Sequence, residues 1–81
     1  MAVAQLVNLG LDNYIPRDRV VAIVKPDTSP IRRLVNELKE DGKVVDISRG
    51  RRARSVVLTD AGYVILSSVR VKTLSERFEE G

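Results

Sequence analysis

The chain contains neither cysteine nor histidine among its 81 residues, and this absence limits how so short a chain can be stabilised. A domain of this size rarely gains more than ~3–5 kcal/mol from its core, so small domains usually add disulfides, a structural metal or self-association. Disulfides and Cys/His zinc sites are excluded here. We therefore expect one domain over residues 1–81 that gains stability by forming a homo-oligomer.

The same absence argues against an enzyme. Ser-His and Cys-His catalysis and a histidine general base are impossible without these residue types. The aspartates lie mostly at turn positions, and no glycine-rich phosphate cradle of P-loop or dinucleotide spacing is present. A Ser-Lys pair is not excluded, but nothing in the sequence selects one. We predict no catalytic residue, no metal, no cofactor and no small-molecule substrate.

The clearest helix signal lies in mid-chain. Ser29 is a good N-terminal cap, Pro30 suits the first helical position, and Gly42 stands where a C-terminal cap belongs. Four apolar residues between these signals recur at i, i+3, i+4 and i+7, which predicts a helix with one apolar stripe. They are Ile31, Leu34, Val35 and Leu38.

Short runs rich in valine, isoleucine and leucine predict strands on both sides of this helix. Val20–Val24 is β-branched at nearly every position, so we expect a strand that is covered on both faces. Asp60 to Gly62 suits a hairpin turn, and the apolar spacing from Val71 predicts a short C-terminal helix. The other predicted strands are residues 3–8, 43–47, 55–59 and 63–69. The pattern predicts a small α+β domain of about six short strands, in an antiparallel or mixed sheet, and two helices.

The segment that most indicates a function is residues 48–54, which connect two predicted strands. Four arginines and no acidic residue occupy positions 49 to 54, and Gly50 lets the backbone turn sharply. Four like charges repel one another, so this composition has no evident benefit for stability. Arginine suits phosphate oxygens and narrow minor grooves, and nucleic acid is the commonest polyanion partner of a small protein. We predict that the contacts are made by Arg49, Arg51, Arg52 and Arg54; a solvated basic loop is the alternative.

Other charges strengthen this prediction. The net charge is only +3, but residues 17–54 hold 11 basic against 6 acidic side chains. Possible additional phosphate contacts are Arg17, Lys25, Arg32 and Arg33. Three aromatic residues in the whole chain are too few for stacking single-stranded bases, so duplex DNA is favoured. Phe78 is expected to pack under the last helix or at a subunit contact.

Two other classes of binding protein stay open. An assembly or scaffold protein could use the basic loop to bind an acidic protein or an anionic membrane surface, and an RNA-binding protein is disfavoured only by the scarcity of aromatics. No segment is apolar enough to span a bilayer or serve as a signal peptide. We expect a cytoplasmic, nucleoid-associated protein without a membrane partner.

Over nearly its whole length, from Asn8 to about Phe78, the chain resembles the RemA family of bacterial extracellular-matrix regulatory proteins. The resemblance rests on ordered blocks of residues rather than on one motif. These are Asn8-Leu9-Gly10 with Asn13, Arg19, residues 26–33, residues 42–46, residues 50–54 and residues 64–68.

The resemblance implies a DNA-binding transcriptional regulator of biofilm matrix genes. It implies a closed homo-oligomeric ring, a heptamer or octamer, around which DNA wraps. It also implies that Arg19, Arg51 and Arg52 bind DNA and that Pro30 matters for activity. We therefore expect Arg19 to lie near the arginine-rich segment, with Ser29, Pro30, Gly50 and Phe78 serving structure or assembly.

This chain departs from the family pattern at a few positions. Lys25 replaces a usual serine, Arg49 a tyrosine or histidine, and Tyr63 a histidine. Residues 70–73 read Arg-Val-Lys-Thr where the family has Gln-Pro-Glu-Thr. The first two changes add positive charge near the expected DNA-binding surface.

Overall fold

Residues 5–80 are described by the computed structural model, and they form two helices and six short strands. The predicted α+β class is confirmed. The strand expected over residues 3–8 is seen from Leu6 onward, while Val3 and Ala4 lie outside the described residues. In chain order the elements are β1 (Leu6–Asn8), β2 (Tyr14–Pro16), a 3₁₀ turn (Arg17–Arg19), β3 (Val20–Val24), α1 (Ser29–Glu40), β4 (Val44–Asp46), β5 (Ser55–Thr59), β6 (Val64–Ser67) and α2 (Val71–Glu80).

Four of the strands form one mixed sheet in the order β3-β5-β6-β4. β5 runs antiparallel to β3 and β6, whereas β4 runs parallel to β6. The predicted hairpin turn joins β5 to β6, and Gly62 there adopts a φ of +85°. β1 and β2 form a separate antiparallel hairpin. β6 is shorter than predicted because the Ser67 hydroxyl accepts the Val69 N–H and turns the chain toward α2.

The two faces of the sheet are covered by different elements. On one face α1 packs three residues of its apolar stripe, Ile31, Val35 and Leu38, in a cluster with Val56 and Leu66. α2 and the β1–β2 hairpin pack on the other face, where Val57 and Leu74 are fully buried. Val56 and Val57 are adjacent in β5 and point to opposite faces, as the period of two requires. Phe78 packs against the buried residues on this second face, which include Val57 and Leu74. The prediction that it lies under the last helix is therefore confirmed.

The start of α1 differs from the prediction by one residue. Thr28, not Ser29, occupies the cap position with an extended backbone, and no side-chain hydrogen bond caps the helix. The assignment of Ser29 as the cap is therefore wrong, since Ser29 is already helical. Pro30 still lies in the first turn, where backbone N–H groups have no intrahelical acceptor, so the N–H that proline lacks is not needed. The other end is as predicted, because Gly42 follows the last turn with a φ of +70°.

The prediction that β3 is covered on both faces is wrong for the single chain. β3 lies at the edge of the sheet, and the side chain of Val21 is 67% exposed. The pairing register shifts between Val20 and Ala22, so a bulge leaves Val21 without a partner in the ladder. A β-branched run indicates a strand but does not indicate its place in the sheet. Val21 is therefore an apolar side chain on an edge strand that no other part of residues 5–80 covers.

Candidate functional site

The arginine loop, defined here as residues 48–54, crosses one end of the sheet. β4 and β5, which it joins, are separated by β6, so the loop passes over the end of β6. Both of its ends are fixed by backbone hydrogen bonds. Ile47 donates its N–H to the Leu66 carbonyl (3.0 Å), and Arg54 donates to the Ser67 carbonyl (2.7 Å). The loop is therefore held on the sheet while its four arginine side chains are all exposed.

The tip of the loop is a tight turn. Arg51 donates its N–H to the Ser48 carbonyl (3.1 Å), and the two residues between them, Arg49 and Gly50, both have positive φ, +54° and +81°. Positive φ at both central positions is typical of a type I′ turn, which usually carries Asn-Gly. Glycine adopts this backbone freely, but an arginine there is strained. Such strain is common at functional segments and indicates that this residue type is not chosen for turn stability.

The base of the loop is fixed by Asp46. Its Oδ1 accepts hydrogen bonds from the Ser48 N–H (2.9 Å) and the Ser48 hydroxyl (2.5 Å), and Ser48 is buried. These two bonds stabilise the charged carboxylate and lower the pKa of Asp46 below its usual value, with a smaller contribution from Lys39. Asp46 is therefore ionised at neutral pH, so that this hydrogen-bonded base is intact under physiological conditions.

The loop arginines have no ion-pair partner within the part of the chain that the structure describes. The salt bridge found among residues 5–80 joins Arg19 to Asp60, away from the loop. Asp46 faces Ser48 rather than an arginine. Within residues 5–80, four cationic side chains are thus presented to solvent without forming an ion pair, which leaves them available to an external anion.

The same end of the sheet gathers further cations from distant parts of the sequence. β3 ends beside the start of β5, so Lys25 lies near the arginine loop. β6 ends beneath the loop and leads directly into α2. The segments meet at a surface cleft of about 360 Å³. Its charged lining consists of Lys25, Asp27, Arg52, Arg54, Arg70 and Lys72.

Arg70 and Lys72 were not among the predicted site residues. Neither lies in a basic run, and only the fold brings them beside the arginine loop. The signal that could have found them is their departure from the family pattern, in the segment where the family has Gln-Pro-Glu-Thr. Lys25, another such departure, lines the same cleft.

Arg19 does not lie near the arginine loop, contrary to expectation. It precedes Val20, which pairs with Thr59, whereas the loop adjoins the opposite end of β5. A strand rises by about 3.3 Å per residue, so the five residues of β5 separate Arg19 from the loop by roughly 17 Å. The Arg19 guanidinium is exposed and bonds the carboxylate of Asp60, which lies in the β5–β6 turn (2.9 Å).

The remaining predicted contacts divide into two kinds. Arg17 is half-buried, and its guanidinium donates to the Phe78 backbone carbonyl, so the structure uses it to hold the end of α2. Arg32 and Arg33 are exposed in the first turns of α1, which starts from the same sheet end as the loop. The positions of Arg32 and Arg33 are compatible with a contact to a large anion. Arg17 differs from them because its guanidinium is hydrogen-bonded within the fold.

Between residues 5 and 80, no three or more acidic side chains come close enough together to hold a metal ion. Within the same residues no helix is long and apolar enough to cross a membrane.

The sequence matches known proteins over most of its length. Residues 6–78 match the family model described as "RemA-like: Extracellular matrix regulatory protein A-like". Three bacterial relatives carry the name "Putative regulatory protein". The one from Nitratidesulfovibrio vulgaris (strain DP4) is 43% identical over 76 residues, covering 94% of this chain and 88% of its own length. Those from Thermotoga neapolitana and Synechococcus sp. (strain JA-2-3B'a(2-13)) are 44% and 43% identical, covering 93% and 91% of this chain and 82% and 83% of their own lengths.

Proposed function

The chain belongs to the RemA-like family, and from this premise we propose that it is a regulator that binds duplex DNA as a ring-shaped homo-oligomer. The observation that carries the proposal is the arginine loop. It presents four exposed arginines, none ion-paired within residues 5–80, on a turn whose base and ends are hydrogen-bonded. Regulation of biofilm matrix genes is the role that the family resemblance implies.

The mechanism that suits this loop is backbone capture. Arginine forks bind phosphate oxygens in two-point hydrogen bonds and enter narrow minor grooves, neither of which needs a unique base sequence. The four arginines of residues 49–54 lie on a loop and not on a helix that could enter the major groove. Sequence preference then arises from how readily the DNA bends, and each protomer contributes a few weak contacts that add up round the ring.

Arg19 is placed for a second contact with the DNA, separate from the contact made by the arginine loop. It lies roughly 17 Å from the arginine loop along β5, and this is about half a turn of duplex DNA. Contacts half a turn apart meet the phosphate backbones on either side of one groove. A duplex whose axis follows the direction of β5 therefore spans the distance between Arg19 and the loop, and Arg19 keeps its charge accessible although it bonds Asp60.

Ring assembly is supported by the two edges of the sheet. β3 and β4 are the outer strands of the four-stranded sheet, and each exposes an apolar side chain, Val21 (67%) and Val45 (44%). Leu6 and Tyr14, on the β1–β2 hairpin, are also largely exposed. The two edges are different surfaces, so a contact between β3 of one protomer and β4 of the next is heterologous. Repeated heterologous contacts form a ring when the rotation between protomers closes and a filament when it does not, and the family resemblance favours the ring.

DNA binding is tested by titrating the full chain with labelled duplex DNA, RNA of the same length and anionic vesicles, at low and at physiological salt. We expect duplex binding that weakens steeply as salt increases, because binding to phosphates releases counterions. Fluorescence polarisation measures this for the nucleic acids, and co-sedimentation measures it for the vesicles. Robust vesicle binding without duplex binding would contradict the proposal and support the scaffold alternative; a preference for RNA would also contradict it.

Assembly is tested by sedimentation velocity at micromolar concentration. We expect a single oligomeric species for the wild-type chain and smaller species for Val21→Lys, since a lysine at an edge strand blocks edge pairing. Asn36→Lys is the matched control, because Asn36 is exposed on α1 and belongs to neither edge strand, and its replacement adds the same charge. A strictly monomeric wild type would remove the ring; an intact oligomer in Val21→Lys would show that β3 is not the interface.

A further inference from the structure

The cleft at the end of the sheet has a composition that the DNA-binding proposal does not explain. Five cationic side chains from three separate segments surround about 360 Å³ of space, and Asp27 is the acidic residue among them. The segments are the end of β3, the arginine loop and the start of α2. Arg52 and Arg54 come from the loop, whereas Arg70 and Lys72 come from a part of the chain that the loop does not include.

This concentration of charge has no structural purpose within the described chain. Lys25, Arg52, Arg54, Arg70 and Lys72 are all exposed, so none contributes to the core. The salt bridge found in residues 5–80 does not involve them. Five cations against one carboxylate repel one another, and an anion placed between them removes that repulsion.

The backbone adds to the positive potential. α2 begins beside the cleft, and its first intrahelical bond is donated by Leu74 to the Arg70 carbonyl. The N–H groups of the preceding first-turn residues therefore have no intrahelical acceptor. The first turn of α2 carries no acidic side chain, so the positive end of the helix dipole is not compensated there.

The shape of the cleft indicates the kind of anion. A volume of about 360 Å³ lies at the lower end of the range for small-molecule sites. Cations that converge on such a volume suit a compact polyanion with several charges close together. A duplex is too large to enter a cleft of this volume. Pro26, Ala53 and Val71 supply the apolar part of the lining, which leaves room for an uncharged portion of a ligand.

We propose that this cleft binds the diphosphate or triphosphate group of a small phosphorylated molecule. Because Arg52 and Arg54 belong both to the cleft and to the arginine loop, the bound ligand withdraws them from DNA. Small polyphosphate and duplex DNA then compete for the same protomer. The competition rests on the proposed function, whereas binding in the cleft does not.

The test uses inorganic pyrophosphate as the probe and isothermal titration calorimetry of the full chain. We expect one saturable site per protomer, with inorganic phosphate binding more weakly because it reaches fewer cations. Lys72→Gln should weaken pyrophosphate binding roughly tenfold, the loss typical of one charged hydrogen bond. Lys43→Gln is the matched control, since Lys43 is exposed beyond the cleft and loses the same charge. We expect it to bind as the wild type does.

Two calorimetric results would overturn the proposal. One is no saturable binding to a wild-type chain whose thermal unfolding is normal. The other is an equal loss in Lys72→Gln and Lys43→Gln, which would mean attraction by net charge alone. Thermal unfolding of both variants checks that they fold, as expected for exposed lysines.

A competition titration separates this proposal from the DNA-binding one. Pyrophosphate should displace labelled duplex from the wild type at constant ionic strength, and displacement from Lys72→Gln should need roughly tenfold more pyrophosphate. If pyrophosphate binds and duplex does not, the DNA-binding function fails and the cleft assignment is supported. If duplex binds, pyrophosphate does not, and Lys72→Gln weakens the duplex, the cleft is a DNA backbone contact and the present proposal is overturned.

Discussion

Duplex DNA will bind the double variant Arg51→Ala/Arg52→Ala far more weakly than the wild-type chain, and the dependence of its affinity on salt will become less steep. Each phosphate contact contributes roughly 0.9 to the slope of log affinity against log salt concentration. Losing two contacts per protomer should therefore lower the slope by about 1.8 for every protomer on the DNA. Polarisation titrations over a series of salt concentrations measure both quantities.

The loss is large because the contacts are repeated round the ring. A duplex held by several protomers loses both arginines at each of them, and avidity converts several small losses into one large loss of affinity. The fold should not change, since both side chains are exposed and the hydrogen bonds that fix the loop involve the backbone or Ser48. Sedimentation of the variant checks that the oligomer is intact.

Two further variants decide what the arginines do. Lys39→Ala/Lys43→Ala removes the same charge from exposed positions outside the loop, and we expect a much smaller loss of affinity. Equal losses in the two double variants would contradict the loop assignment. Arg51→Lys/Arg52→Lys keeps the charge but not the planar fork. If the arginines only contact phosphates, this variant should keep the salt slope of the wild type and bind duplex DNA with a moderately lower affinity.

The helices and turns that depend on residues close together in the sequence were predictable from it. The apolar stripe and Gly42 located α1 almost completely, and Asp60 to Gly62 located the β5–β6 turn. The N-terminal cap was misassigned to Ser29 because both Thr28 and Ser29 suit a cap by residue type, and serine is the more strongly preferred. Only the backbone conformation, extended at Thr28 and helical after it, distinguishes them.

Long-range placement could not be predicted in the same way. Strand order depends on pairing between distant residues, so the sequence did not indicate that β3 lies at an edge or that Val21 is exposed. The arginine loop was found because its charges are consecutive. The distance of Arg19 from that loop and the approach of Arg70 to it arise from how the strands pair, that is, from their order, direction and register.

The largest loss of stability is expected from Gly10→Ala, in the turn between β1 and β2. Gly10 has a φ of +113°, a conformation that residues with a side chain rarely adopt. A methyl group there would lie 2.8 Å from Cγ2 of Val69, which packs against the core. Backbone strain costs about 1–3 kcal/mol, and overpacking costs about 1–3 kcal/mol more. Together they approach the ~3–5 kcal/mol that a core of this size supplies.

The position of Gly10 explains why the chain cannot simply move away. Its N–H donates to the Asn8 side chain (2.8 Å), and its carbonyl accepts from the Asn13 amide group (3.0 Å). The preceding residue, Leu9, is buried, and its carbonyl accepts the hydroxyl of Ser67 (2.6 Å). Relief of the clash would therefore disturb the contact between the β1–β2 hairpin and the sheet. Urea unfolding should show a much lower midpoint with an unchanged slope.

Gly62→Ala separates the two causes of this loss. Gly62 also has a positive φ, +85°, but no atom lies within 4 Å of the position where its Cβ would be. Only the backbone term applies, so we expect a loss of about 1–2 kcal/mol. A double-mutant cycle of Gly10→Ala with Val69→Ala then isolates the steric term, since removing the Val69 methyl groups makes room for the added methyl and the two changes should cost less together than separately. Equal destabilisation by Gly10→Ala and Gly62→Ala, with strictly additive effects in the cycle, would mean that Val69 does not restrict this turn.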